Sequence, residues 1–197
     1  MGERFVVGLT GGIASGKSAV SGFLGEEPGV TVIDADVVSR EIYKNSDVGT
    51  AILREFPECE ENGEINRRKL RSVFADPEKT TKLNSITHPA IIGECKRRIA
   101  GARGIVLFVV PLLFETGMDK ICDATVVVVA DKKTRIKRLL NRDNIDEETA
   151  ENMMQRQWED GERIKKADFI IENDGDISDL KKKTLLLLTE IRKIAAG

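Results

Sequence analysis

The sequence has one tryptophan, one tyrosine, one histidine and three cysteines among its 197 residues. Cys59, Cys95 and Cys122 lie far apart and form no CxxC or Cys/His cluster. An odd, unpatterned set of thiols suits small core positions in a reducing cytosol and argues against a disulfide scaffold. No apolar run approaches a membrane span; the longest, around Ile105 to Leu113, is far too short. Arg4 precedes only a short strand-like run, so no leader is expected and the reading is cytoplasmic, with no membrane partner. An excess of charge is also missing. With 31 basic and 33 acidic residues the formal net charge is −2, which excludes a nucleic-acid partner held by bulk charge and leaves room for a local basic pocket. What is present is 41% hydrophobic and 32% charged, the make-up of a globular chain long enough to bury a core. No internal repeat or low-complexity linker divides it.

Five short apolar or β-branched runs recur: Arg4–Leu9, Val30–Ile33, Ile105–Val110, Thr125–Val129 and Phe169–Ile171. Each is continuous rather than alternating, the pattern of strands buried on both faces of a parallel sheet. Helical stretches separate them. Asp76-Pro77-Glu78 reads as an N-cap with proline in the first turn, and Asp131, Asp146 and Ser178 as caps of three later helices. Strand–helix alternation predicts a doubly wound, five-stranded parallel α/β sheet flanked by helices. Residues 35–103 are too many for one crossover and are expected to form a helical acceptor subdomain. Residues 132–167 are expected to form a helical lid, leaving 1–34, 104–131 and 168–197 as a nucleotide-binding core.

Gly11-Gly12-Ile13-Ala14-Ser15-Gly16-Lys17-Ser18 satisfies G-x-x-x-x-G-K-S/T, between a hydrophobic strand and an amphipathic helix carrying Val20, Phe23 and Leu24. Glycines let backbone N–H groups close around phosphate oxygens, and the helix N-terminus adds partial positive charge. Lys17 is placed to reach the β- and γ-phosphates of ATP, and the Ser18 hydroxyl to ligate Mg²⁺. No acid stands directly at the end of the Ile105–Val110 strand, and no N-K-x-D guanine motif occurs. Both absences disfavour a hydrolysing ATPase or a GTPase and favour a kinase.

The second strand ends in Ile33-Asp34-Ala35-Asp36, at the carboxyl edge where open parallel sheets hold ligands. One carboxylate is suited to accept the proton of an acceptor hydroxyl, and the other to cap the next helix; the sequence leaves open which does which. Arg135, Arg138 and Arg142 recur at i, i+3 and i+7 on one helix face. That face reads either as solvated or as a lid whose guanidinium groups close on phosphates.

Taken in order, Thr10 to Ser18, Ile33-Asp34-Ala35-Asp36, His88-Pro89 and Val110-Pro111-Leu112-Leu113-Phe114-Glu115 resemble the signatures of dephospho-CoA kinases. Smaller matches at Ile65-Asn66-Arg67, Leu70, Val73-Phe74, Arg138, Arg142-Asp143, Gln157 and Ala167-Asp168 through Asn173 extend the resemblance from about residue 4 to residue 175. It implies ATP- and Mg²⁺-dependent phosphorylation of the ribose 3′-hydroxyl of dephospho-CoA, giving CoA and ADP, in a monomer or weak homo-oligomer. It also implies a sheet order of 2-3-1-4-5. On this pattern Asp36 is the base, with Lys17 and Arg142 catalytic and Asp34 beside it. Arg138 and Arg142 are lid arginines, and Asn173 contacts adenine. His88, Pro89, Leu113, Phe114 and Glu115 belong to the acceptor side, although His88 by itself reads as an ordinary helix-start residue. Another nucleoside or nucleotide kinase of the same architecture, and a nucleotide-dependent protein switch, are the competing readings.

Two positions depart from the pattern. Ala14 stands where glycine is common, which is tolerable at a negative φ. Met153 stands where a lid arginine is common; Arg156 or Arg163 is the candidate replacement, while Arg135 matches no family position. Trp158 reads as lid core or, alternatively, as a base-stacking platform. Lys181-Lys182-Lys183 reads as a solvated helix face.

Overall fold

The structure is a computed structural model that describes residues 4–44, 46–155 and 157–197. In chain order it contains β1 (Arg4–Gly11), α1 (Lys17–Gly25), β2 (Val30–Asp34), α2 (Ala35–Ile42), α3 (Ser46–Glu55), β3 (Glu60–Glu61), β4 (Glu64–Ile65), α4 (Arg67–Val73) and α5 (Pro77–Gly101). There follow β5 (Gly104–Val109), β6 (Ala124–Val129), α6 (Lys132–Asp143), α7 (Glu147–Gln155), α8 (Asp160–Ile164), β7 (Phe169–Glu172) and α9 (Ile177–Ala195). Two compact units result, Met1–Val32 with Ala102–Gly197 and Ile33–Gly101, the boundary falling inside β2.

The sheet runs β2-β5-β1-β6-β7, the expected 2-3-1-4-5 once the small β3–β4 hairpin is set aside. β1 pairs in parallel with β5, Val7 opposite Leu107, and with β6, Val7 opposite Ala124. Six consecutive residues, Val6 to Gly11, are buried, because a strand flanked on both sides and covered on both faces has no solvent-facing period. The outer strands depart from that expectation. Val32 on β2 is 39% exposed and Ile170 on β7 is 47% exposed, since an edge strand is incompletely covered.

In the first unit Val7, Leu9, Leu107, Val109, Val126 and Val128 meet Val20 and Leu24 of α1 and Leu180, Leu187, Leu188 and Ile191 of α9 in one core. Leu180, Thr184, Leu187, Leu188 and Ile191 form a stripe at 3.6-residue spacing, so α9 lays one face down and leaves Lys181 and Lys182 outside. Its cap is Asp176, whose carboxylate accepts from the amides of Ser178 and Asp179 at 2.8 and 2.9 Å, and not Ser178 as the sequence suggested. The caps Asp76, Asp131 and Asp146 stand as expected, accepting from Glu78, Thr134 and Thr149 amides respectively.

The second unit has its own core of Ile52, Phe56, Cys59, Leu70, Val73 and Leu83. Its long helix α5 contains Pro89 in the interior, where the ring removes one N–H from the ladder. His88 and Pro89 are exposed mid-helix, so His88 is not a helix-start residue.

Candidate active site

The phosphate loop lies between β1 and α1. Ser15 N–H donates to Gly12 C=O at 3.1 Å, and Gly16 starts α1 with φ 104° and no side-chain cap. Ala14 has φ 59°, so the negative φ at which alanine is easily tolerated is not the one it adopts: an alanine occupies the left-handed region, at a cost of roughly 1–2 kcal/mol. The surroundings hold it there. Ile13 and Ala14 pack their side chains on the cluster of Ile136, Leu139 and Ala150. Three consecutive loop carbonyls accept from outside the loop: Ile13 from Arg135 Nε at 2.8 Å, Ala14 from Arg138 Nη1 at 3.3 Å, and Ser15 from Asn173 Nδ2 at 2.7 Å and Arg138 Nη1 at 3.3 Å. Carbonyls held outward keep their negative oxygens away from an anion in the loop, while of the amides the Ile13 N–H is itself taken by Gln157 Oε1 and the Ser15 N–H by Gly12 C=O. The Ser15 hydroxyl, fully buried, has no hydrogen-bond partner among the described residues, and an orphaned buried donor of this kind calls for a ligand or water. Lys17 and Ser18 occupy the first turn of α1, where the helix dipole adds to the attraction for an anion.

The three arginines of α6 divide. Arg135 is buried and Arg138 is spent on the loop, its Nη2 also donating to Asn173 C=O at 2.9 Å; neither belongs to a solvated face. Arg142 is the outward one: its side chain is 59% exposed and forms a two-pronged pair with Asp143 at 2.8 and 2.7 Å. Asn173 is itself buried, and its amide nitrogen fills the space where a Gly16 side chain would stand, 2.0 Å from an ideal Cβ.

The Pro111–Glu115 segment belongs to the same unit. Leu113 and Phe114 are buried core residues. Gly8 of β1 permits this, because a Cβ there would come within 2.8 Å of Leu113 Cδ2 and of Cys122 Sγ. Glu115 likewise turns inward and pairs with Arg163 at 2.7 Å. Arg163 is fully buried and donates to Trp158 C=O at 2.6 Å, so it replaces no lid arginine; Arg156 lies outside the described residues. Trp158 is 40% exposed and is therefore not lid core.

In the second unit the structure separates the two aspartates. Asp34 is the N-cap of α2, its Oδ1 accepting from Asp36 and Val37 amides at 2.8 and 3.3 Å. Asp36 stands in the first helical turn and lines a cavity of about 450 Å³ with Ser39, Arg40, Tyr43, Arg67 and Arg71 among its walls. Among the described residues none of these three arginines is paired with a carboxylate, and none of the described acidic, histidine or cysteine side chains cluster to hold a metal.

A family model described as dephospho-CoA kinase, CoaE, matches residues 5–179. The chain belongs to the dephospho-CoA kinase family. A dephospho-CoA kinase of Fusobacterium nucleatum is 43% identical over 182 residues, covering 90% of this chain and 94% of the relative. Among solved structures, TT1252 from Thermus thermophilus superposes with a TM-score of 0.84 at 30% identity, over 95% of this chain and 98% of that one. The dephospho-CoA kinase of Campylobacter jejuni, at 24% identity, 96% and 98% coverage and TM-score 0.66, shares the fold.

The sequence of this dephospho-CoA kinase family member offered Arg135 only as part of a solvated or lid face, gave no sign of Gln157 as a loop contact, and left Asp160 unnoticed. Gln157 Oε1 accepts from Ile13 N–H at 2.8 Å, and Asp160 pairs with Arg135 at 2.7 Å. The available signal was spacing: Asp160 and Arg163 stand three apart, one turn of a helix, and carry opposite charges.

Proposed function

We propose that this member of the dephospho-CoA kinase family transfers the γ-phosphoryl group of ATP to the ribose 3′-hydroxyl of dephospho-CoA, forming CoA and ADP in the last step of coenzyme A biosynthesis. The observation that carries the reading is the phosphate loop whose carbonyls at Ile13, Ala14 and Ser15 are all held outward. The acceptor oxygen forms the new bond to phosphorus, the bond to the β,γ-bridging oxygen breaks, and ADP leaves. Asp36 accepts the hydroxyl proton. A carboxylate suits this role, because the proton is released as the oxygen attacks. Lys17 and Arg142 neutralise charge on the phosphoryl oxygens, work that needs positioning more than covalent help.

The cavity beside Asp36 supports the acceptor assignment. Dephospho-CoA carries an anionic diphosphate, and Arg40, Arg67 and Arg71 line that cavity without carboxylate partners among the described residues. Asp34, His88, Pro89, Leu113, Phe114 and Glu115 remain our candidates for shaping the acceptor side, and 132–167 for the lid. Mg²⁺ fits as a nucleotide-borne ion: no cluster of protein ligands stands ready among the described residues, and one hydroxyl, exposed Ser18, sits at the start of α1. When bound, it would offset charge on the β- and γ-oxygens. No described helix is long and apolar enough to cross a membrane, and we place the reaction in the cytoplasm.

The test is to mix the full chain with Mg-ATP and dephospho-CoA and to follow CoA and ADP by mass spectrometry. A panel including AMP, shikimate and other nucleosides runs alongside. Preferential phosphorylation of another acceptor, or ATP hydrolysis with dephospho-CoA untouched, would overturn the assignment.

A further inference from the structure

Four charged side chains behind the phosphate loop form one alternating chain. Glu115 Oε1 accepts from Arg163 Nη2 at 2.7 Å, and Arg163 Nη1 reaches Asp160 Oδ1 at 3.4 Å. Asp160 Oδ2 accepts from Arg135 Nη1 at 2.7 Å, and Arg135 Nε donates to Ile13 C=O at 2.8 Å. The chain is neutral in sum and removed from water: Arg163 is fully buried, and the side chains of Arg135, Glu115 and Asp160 are 7%, 13% and 21% exposed. It is not saturated, since Glu115 Oε2 and Arg163 Nε have no hydrogen-bond partner among the described residues. Buried ion pairs are a poor source of stability, because the cost of desolvating the charges offsets their attraction. Their placement is what distinguishes this set.

The same segment grips Ile13 twice. Gln157 Oε1 takes the Ile13 N–H, while Arg135, anchored by Asp160, takes the Ile13 C=O. Arg163 ties the two grips together by donating to Trp158 C=O, between Gln157 and Asp160. The Arg135 guanidinium also covers Gly12, with Nη2 2.4 Å from where a Cβ would stand. The two peptide groups flanking Ile13, just before left-handed Ala14, are thus each fixed at one polar end. We propose that the Glu115–Arg163–Asp160–Arg135 chain, with Gln157, is a positioning device that presets the phosphate loop for the nucleotide by clamping the N–H and C=O of Ile13. Arg135, Asp160 and Gln157 act through the loop and touch no reacting atom. The proposal rests on the phosphate-loop reading above and adds residues to it.

The experiment measures ADP affinity by calorimetry, KM for ATP and for dephospho-CoA, and Tm, for the full-length wild type, Asp160→Asn, Arg135→Lys and Gln157→Leu. Asp160→Asn keeps the shape and deletes the charge that anchors Arg135. Arg135→Lys keeps the charge but loses the planar fork that spans two acceptors. Gln157→Leu removes only the N–H grip at a half-buried position, so it keeps the test intact if a charge variant fails to fold. Each variant that folds is expected to bind ADP about tenfold or more weakly, within the about 10²-fold reach of a misplaced site, and to raise KM for ATP while KM for dephospho-CoA stays unchanged. ADP affinity and KM for ATP within about twofold of wild type, with only Tm lowered, would overturn the proposal and leave a purely structural cluster. ADP titration needs no acceptor. A wild type that binds no ADP therefore sinks the functional reading, whereas unchanged ADP affinity in the variants sinks this inference alone.

Discussion

Gly16→Ala tests the loop geometry most directly, because two separable effects meet at one methyl group. Gly16 has φ 104°, a region closed to side chains, so alanine there costs at least about 1–2 kcal/mol. The new Cβ would also stand 2.0 Å from Asn173 Nδ2, which must then leave its 2.7 Å hydrogen bond to Ser15 C=O. Breaking a buried bond of this kind costs about 1–3 kcal/mol. The single variant should therefore lose about 2–5 kcal/mol, which at about 2–4 °C per kcal/mol for a chain of this length lowers Tm by roughly 4–20 °C. Asn173→Ala alone should lose about 1–3 kcal/mol, the hydrogen bond only. In the double variant the bond is already absent and the amide no longer obstructs Cβ, so the loss should match that of Gly16→Ala by itself. Urea denaturation of all four proteins closes the cycle, with an expected coupling of about 1–3 kcal/mol. Additivity within about 0.5 kcal/mol would refute the reasoning, because the two residues would then not compete for one space.

Three further outcomes follow from the same geometry. Asp36→Asn should keep ADP binding and lose about 10²–10⁴ in kcat, the usual worth of a positioned base; undiminished turnover in single-turnover kinetics removes Asp36 from that role. Arg142→Ala should lower kcat while stability changes by less than about 0.5 kcal/mol, since the side chain is 59% exposed; a Tm loss matching the activity loss would make it structural. Burial pushes the Cys95 and Cys122 thiols up to about 11 and about 12, and Cys59 is raised by the same cause. The thiolate fraction of Cys95 and Cys122 is thus negligible at pH 8 in the folded chain, so their alkylation should be slow until urea unfolds it; rapid native labelling of either at pH 8 would contradict the burial.

Much of the fold was legible because its signals are local. Continuous β-branched runs marked the five main strands, and Asp76, Asp131 and Asp146 marked helix starts, since a strand's burial and a cap's hydrogen bond each depend on a few neighbouring residues. The missed cap fits this logic: Asp176 and Ser178 both favour caps, and only the backbone fixed the start at Ile177.

The sequence by itself determined the phosphate loop, since glycines, lysine and serine at that spacing between strand and helix leave little else for the segment to be. It also determined the family, through ordered motifs spread over most of the chain. It could not say which aspartate caps, because a carboxylate looks the same in both roles until a helix axis is drawn. Nor could it tell that Arg135, Arg138 and Asn173 would turn inward on the loop carbonyls, that Glu115 would meet Arg163 across 48 residues, or that Ala14 would take a positive φ. Those outcomes depend on which polar groups are buried together, and burial is a property of the packed chain. Removed from water, each charge must find a partner wherever the fold has brought one, and sequence distance has no bearing on that choice.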